Sequence, residues 1–228
     1  MTFNLNLIDN TDIPLQGVFA IMSHTERTLL YSFISQLGNN ITVMEIGSAL
    51  GGAACVIASA NPTINVISIE AFHNNIWSWE NQIRPFLAGK IYNWCKIRNT
   101  DVTNYLFWIE LINSHFEYDR LGISAFEAIT KDFPNIKLLQ GESPIICSDW
   151  NTPIDVYFED ANHNNPFLNS NINFWTKHIK PNGFIIGHDY DQQPDVKSEF
   201  NNLIQQGWSL ITKVEQLIIL QKPNNEEN

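Results

Sequence analysis

The most restrictive feature of the chain is a set of short runs, "ITVMEIG", "NVISIEA", "IDVYFED" and "GFIIGHDY", that stay apolar at successive positions until they end in acids, glycine or histidine. A strand with one wet face alternates apolar and polar side chains. These runs largely do not, so both of their faces must be covered. Helical stretches lie between them, and strands joined through helices form a parallel sheet between two helical layers. "IKLLQGES" adds a further strand, and the chain closes with "WSLITKV" and "QLIILQK", joined so tightly around Glu215 that they pair antiparallel. The expected fold is α/β, doubly wound, with a mostly parallel seven-stranded sheet, a C-terminal hairpin and helices on both faces.

In "SHTERTLLYSFISQLGNN", Ser23 and Glu26 have capping-box spacing, and Leu29, Leu30, Phe33, Ile34 and Leu37 fall on one helical face. Residues 1–40 therefore read as an N-terminal helical segment whose apolar face is a candidate homodimer surface. "SALGGAACVIASA", "FLNSNINFWTKHI" and "DVKSEFNNLIQQG" supply crossover helices. The stretch 72–133 carries Trp77, Trp79, Trp94, Trp108 and the helical patch "ISAFEAITKDF". It is longer than one crossover requires and reads as a helical insertion, a candidate lid or substrate wall. No linker or repeat divides residues 1–228, so one domain is expected.

The formal charge of −11 repels nucleic acid and anionic membrane surfaces, so neither is an expected partner. No apolar run reaches the length of a membrane span, and the first basic side chain is Arg27, so a signal peptide is not expected. Cys55, Cys95 and Cys147 are scattered and not at metal-ligand spacing, which fits a reducing, cytoplasmic setting with buried thiols. Charged residues are only 16%, and 28 asparagines take their place. That exchange reads as compositional drift and not as a pocket lining.

Two features carry chemistry. In "VMEIGSALGG", a strand, a glycine turn and a helix start let backbone N–H groups approach a ligand closely. Its spacing, G-x-x-x-G-G from Gly47 to Gly51 and Gly52, differs from the G-x-G-x-x-G of dinucleotide binders. Glu45, an acid inside a buried strand just before that turn, is costly unless it finds a partner. Glu70 ends the neighbouring strand, where an acid can accept hydrogen bonds from both hydroxyls of a ribose. Together these features point to an adenosine-type ligand.

The order of elements, the turn "EIGSALGG", the acid in "SIEA", "LLQGES" and the terminal hairpin resemble the class I S-adenosylmethionine-dependent methyltransferases, whose sheet is Rossmann-like. "IDVYFEDANHNN", "FWTKHIKPNGFIIGHDY" and the following "PDV" further resemble the small metal-dependent natural-product and sugar O-methyltransferases, of macrolide-sugar and cephalosporin-pathway type. The likeness spans roughly residues 40–205 and is vague through the tryptophan-rich stretch.

The resemblance implies a role for each matched position. Glu45 and the turn of Gly47, Ser48, Gly51 and Gly52 would hold the methionine part of S-adenosyl-L-methionine and Glu70 its ribose, with Ala71 also binding the cofactor. Gly141, Glu142 and Ser143 would border the adenine. Asp160 would lie beside the cofactor and, with His188 and Asp189, hold a divalent metal, Mg²⁺ foremost. His163 or His188 would take the proton from a hydroxyl of the acceptor, a sugar unit or secondary metabolite.

The sequence departs from that group in three places. Asn162 stands where some relatives have an acid proposed as the base. Asn182 replaces a glycine in the "KPNGF" turn, and His188 replaces an oxygen ligand with nitrogen. Glu159 should point away from Asp160 and be structural. Tyr190 and Trp175 read as core, and His24, His73, His115 and His178 as surface or packing residues. Three other functions fit the same residues: a carboxyl or peptide methyltransferase without metal, an NAD-dependent oxidoreductase, and a non-catalytic binding domain.

Overall fold

The computed structural model describes residues 22–71 and 123–224. Apart from its last residues, the expected insertion lies outside them, as does Cys95. Seven strands form one sheet: β1 (Thr42–Ile46), β2 (Asn65–Glu70), β3 (Ile136–Gln140), β4 (Ile154–Glu159), β5 (Ile179–Gly187), β6 (Ser209–Val214) and β7 (Leu217–Gln221). Their order is β3-β2-β1-β4-β5-β7-β6. β1 to β5 pair in parallel, while β7 runs antiparallel to both β5 and β6. The sheet is the mixed, doubly wound one the apolar runs require. Glu215 makes the tight corner between β6 and β7 with φ 51°.

Strand parity sorts the core into two layers. Val43, Val66, Val156, Phe158, Phe184 and Ile186 face α1 (His24–Ser35), α2 (Gly52–Ala60) and α3 (Ile123–Thr130). Met44, Ile67, Tyr157 and Ile185, one step out of phase, face α4 (Phe167–His178) and α5 (Pro194–Gln205). Trp175 is fully buried in this second layer, as expected, and Tyr190 is buried with it.

Helix α1 begins at a formed capping box. The Ser23 hydroxyl accepts from Glu26 N at 3.1 Å, and Glu26 Oε2 accepts from Ser23 N at 2.7 Å. Leu29, Leu30, Phe33 and Ile34 are fully buried within the chain. At about 1.5–3 kcal/mol per buried side chain they contribute roughly 6–12 kcal/mol of transfer energy to docking the helix. The face expected to offer a dimer surface is thus consumed in the chain's own core. Phe33 meets Phe184 of β5 edge to face, with centroids 5.0 Å apart, so α1 lies over the strand that leads into His188.

Candidate active site

The turn between β1 and α2 is built from left-handed residues. Gly47, Ala49 and Gly51 have φ of 87°, 47° and 81°. A Cβ on Gly47 would stand 2.3 Å from the Asp160 carbonyl oxygen and 2.5 Å from Ala161 Cα. Only glycine lets this turn lie directly against the end of β4. A Cβ on Gly51 would meet Thr130 and Phe126 of α3, so that glycine serves packing. The buried Gly52 opens α2, which has no side-chain cap at its N-terminus.

Glu45 is buried in register with Ser68 of β2. Its Oε2 accepts from the hydroxyls of Ser68 at 2.5 Å and Ser48 at 2.8 Å, whereas Oε1 is buried without a hydrogen-bond partner. Burial pushes the Glu45 pKa up to about 7 against those two hydrogen bonds, and the charges of Asp160 and Glu70 add to the rise. Glu70, at the end of β2, accepts from Ala49 N at 2.7 Å and so fastens the turn to the next strand. Ala71 follows, half-buried.

The unpartnered oxygen of Glu45 and the gathering of Glu45, Glu70 and Asp160 suit a ligand carrying positive charge. S-adenosylmethionine, with its sulfonium and ammonium groups, fits this neighbourhood; the pyrophosphate of a dinucleotide does not.

Beyond β3, Gly141 N donates to the Glu70 carbonyl at 3.0 Å. The Ser143 hydroxyl accepts from Trp175 Nε1 at 2.9 Å, which ties this loop to α4, while Glu142 is exposed.

The ends of β4 and β5 form the rim. Asp160 Oδ1 lies 3.6 Å from His163 Nε2, which lies 3.4 Å from Asp189 Oδ2. Donor atoms from these three residues fall within 4.8 Å of one another. They stand too far apart for well-formed hydrogen bonds and at the spacing that ligands around one divalent ion adopt. Burial would lower the His163 pKa, but its contact with Asp160 and the charges of Asp160 and Asp189 win and raise it. Asp189 holds φ 58°, a left-handed conformation that aspartate tolerates better than most residues.

His188 does not join this three-residue group. It has the parity of Phe184 and Ile186, so its ring points under α1. There Nε2 lies 3.5 Å from Glu26 Oε2 and Nδ1 lies 3.2 Å from Asp160 Oδ1. Burial lowers the His188 pKa, yet Asp160 and Glu26 more than offset this and carry it up to about 10. Asp189 Oδ1 lies 3.7 Å from the same Nδ1, so the ring is packed among three carboxylates. Asp160, His163 and Asp189 thus form one compact group, with His188 packed behind Asp160 and against Glu26.

Three contacts were not foreseen. Ser68, a lone hydroxyl in an apolar strand two residues before Glu70, was a visible signal. Ala49 in the turn was not, and Glu26 read only as a capping residue. Glu159 is buried and bonded to the Tyr157 hydroxyl and to Ala161 N, in keeping with a structural role. Burial pushes the Cys55 thiol up to about 12, so it is inert.

A family model described as a methyltransferase domain matches residues 44–190. A search of curated proteins found no match. Among solved structures, the chain is similar to an O-methyltransferase from Bacillus cereus in complex with S-adenosylhomocysteine. The TM-score is 0.55 at 14% identity, covering 92% of this chain and 85% of that one. An S-adenosylhomocysteine-bound methyltransferase from Podospora anserina gives 0.57 at 10% identity, covering 90% and 80%. A precorrin-6y C5,15-methyltransferase from Geobacter metallireducens gives 0.53 at 12% identity, covering 97% of both chains. At these identities the structures speak for the fold, and the family match carries the assignment: the chain belongs to the methyltransferase domain family and is a class I S-adenosylmethionine-dependent methyltransferase.

Proposed function

We propose that the enzyme methylates a hydroxyl oxygen of a small hydroxylated acceptor, such as a sugar unit or secondary metabolite, with a divalent ion at the rim. The observation that carries this reading is the convergence of Asp160, His163 and Asp189 beside the Gly47 turn. Glu45 and the turn would hold the methionine end of the cofactor, Glu70 its ribose, and the Gly141–Ser143 loop its adenine. Asp160 and Asp189 would hold the ion, which supplies charge that lowers the pKa of a bound hydroxyl. The acceptor oxygen then displaces sulfur from the methyl carbon in line, and His163 Nε2 takes the hydroxyl proton. A base at His163 must be neutral to take the proton, so the reaction should slow as pH falls through its pKa.

The test is transfer of labelled methyl from S-adenosylmethionine to a panel of hydroxylated and carboxylated acceptors, with Mn²⁺ or Mg²⁺ and with EDTA. A base-stable ether product that EDTA abolishes is expected. A base-labile methyl ester would point instead to carboxyl methylation, and undiminished turnover in EDTA would reject the ion.

The donor spacing also favours a second reading, in which His163 is the third ligand and nitrogen tilts the site toward Mn²⁺ or another transition metal. His163→Ala separates the two. As base, its loss flattens the acid limb of the pH–rate profile and spares ion affinity; as ligand, its loss weakens ion binding by about tenfold or more.

A further inference from the structure

Glu26 lies outside the residues 44–190 that match the family, yet its carboxylate reaches the rim. It is held from two sides: Oε2 accepts from Ser23 N at 2.7 Å, and Oε1 accepts from Gln216 N, in the β6–β7 turn, at 2.8 Å. The carboxylate is almost fully buried, with 4% of the side chain exposed, and His188 beside it is 7% exposed. The His188 ring is pinned at opposite nitrogens, with Glu26 Oε2 3.5 Å from Nε2 and Asp160 Oδ1 3.2 Å from Nδ1. Asp160 Oδ1 is the same oxygen that faces His163 Nε2. An unbroken line of contacts thus runs from α1 to the rim carboxylate.

We infer that Glu26 is a positioning residue: it fixes the His188 ring, and through that ring the Asp160 carboxylate, in the orientation the rim requires. The inference rests on the reading of Asp160 as a rim residue of the acceptor site. A helix cap alone would need only Ser23 and Glu26. The ring behind Glu26 and the backbone amide beside it make this acid part of a support shell, whose loss at ion sites costs affinity without removing a ligand.

The experiment uses the full chain carrying Glu26→Gln, Ser23→Ala, His188→Asn, or Glu26→Gln with His188→Asn. Each is titrated with MnCl₂ by calorimetry, and imidazole ¹⁵N spectra are recorded without metal. Glu26→Gln should weaken Mn²⁺ binding by about tenfold or more and move the ring resonances of both His188 and His163. Ser23→Ala removes the other half of the cap, so it should lower Tm and leave both readouts in place. In the double variant, the Glu26 substitution should add nothing to the His188→Asn effect.

A Glu26→Gln protein that loses Tm but keeps its Mn²⁺ affinity and His163 resonances would overturn the inference. So would a Glu26 effect that persists in full beside His188→Asn. Should Glu26→Gln not fold, His188→Asn carries the test: unchanged His163 resonances would overturn the inference. If the unsubstituted protein binds no Mn²⁺, the ion in the proposed function falls, and the imidazole spectra still decide the role of Glu26.

Discussion

At the scale of single residues, the turn after β1 spends backbone strain to bring two chain segments together. Gly47 adopts φ 87° at no steric cost, and its missing Cβ admits the backbone of Asp160 and Ala161. Ala49 adopts φ 47° at a cost, because its Cβ crowds the backbone in the left-handed region. The hydrogen bond from Ala49 N to Glu70 offsets part of that cost. Ala49→Gly should therefore stabilise the fold by about 0.5–1 kcal/mol, with the relief of strain exceeding the added freedom of the unfolded chain. Urea denaturation checks this, and an unchanged or lower midpoint would show that the turn is not strained at Ala49.

At the scale of elements, much was legible and one relation was not. The continuous apolar runs gave the strands, and their parity explains why Glu45, Ser68, Asp160 and His188 share one face while Glu159 takes the other. The capping-box spacing at Ser23 and Glu26 placed the start of α1. Parity, however, does not say which helix covers which face, so no pattern in the sequence connects Glu26 to His188, 162 residues away. That contact makes His188 a buried partner of α1 as well as a neighbour of Asp160.

The Glu26–His188 pair also has a pH signature. Burial works against the charged form of each residue, but their mutual contact and hydrogen bonds hold Glu26 down at about 2 and His188 up at about 10. The contribution of Glu26 is complete above its ordinary value of 4.5 and is lost as pH falls through about 2. That of His188 is complete below its ordinary 6.5 and is lost as pH rises through about 10. His188→Asn should thus cost most stability between pH 4.5 and 6.5, and progressively less toward pH 10. Urea midpoints in EDTA at an acidic and an alkaline pH test this. A constant difference between the two proteins would show that the pair is not charged in the fold.

At the scale of the whole molecule, the two ends of the described chain converge on one rim. Helix α1 and the β6–β7 turn meet at Glu26, and the strands they flank end at Asp160, His163 and Asp189. No helix among the described residues is long and apolar enough to cross a membrane. The tryptophan-rich stretch between β2 and α3 lies outside the described residues. Three acids, Glu45, Glu70 and Asp160, gather around a glycine turn that an anionic pyrophosphate would find repulsive.

The most direct test is calorimetric titration of the full chain with S-adenosylhomocysteine, with NADH as the control ligand. Binding of S-adenosylhomocysteine in roughly the micromolar range, lost in Glu70→Ala, with no heat from NADH, is the predicted result. Absence of S-adenosylhomocysteine binding, or preference for NADH, would contradict the assignment of the β1–α2 turn as the cofactor cradle.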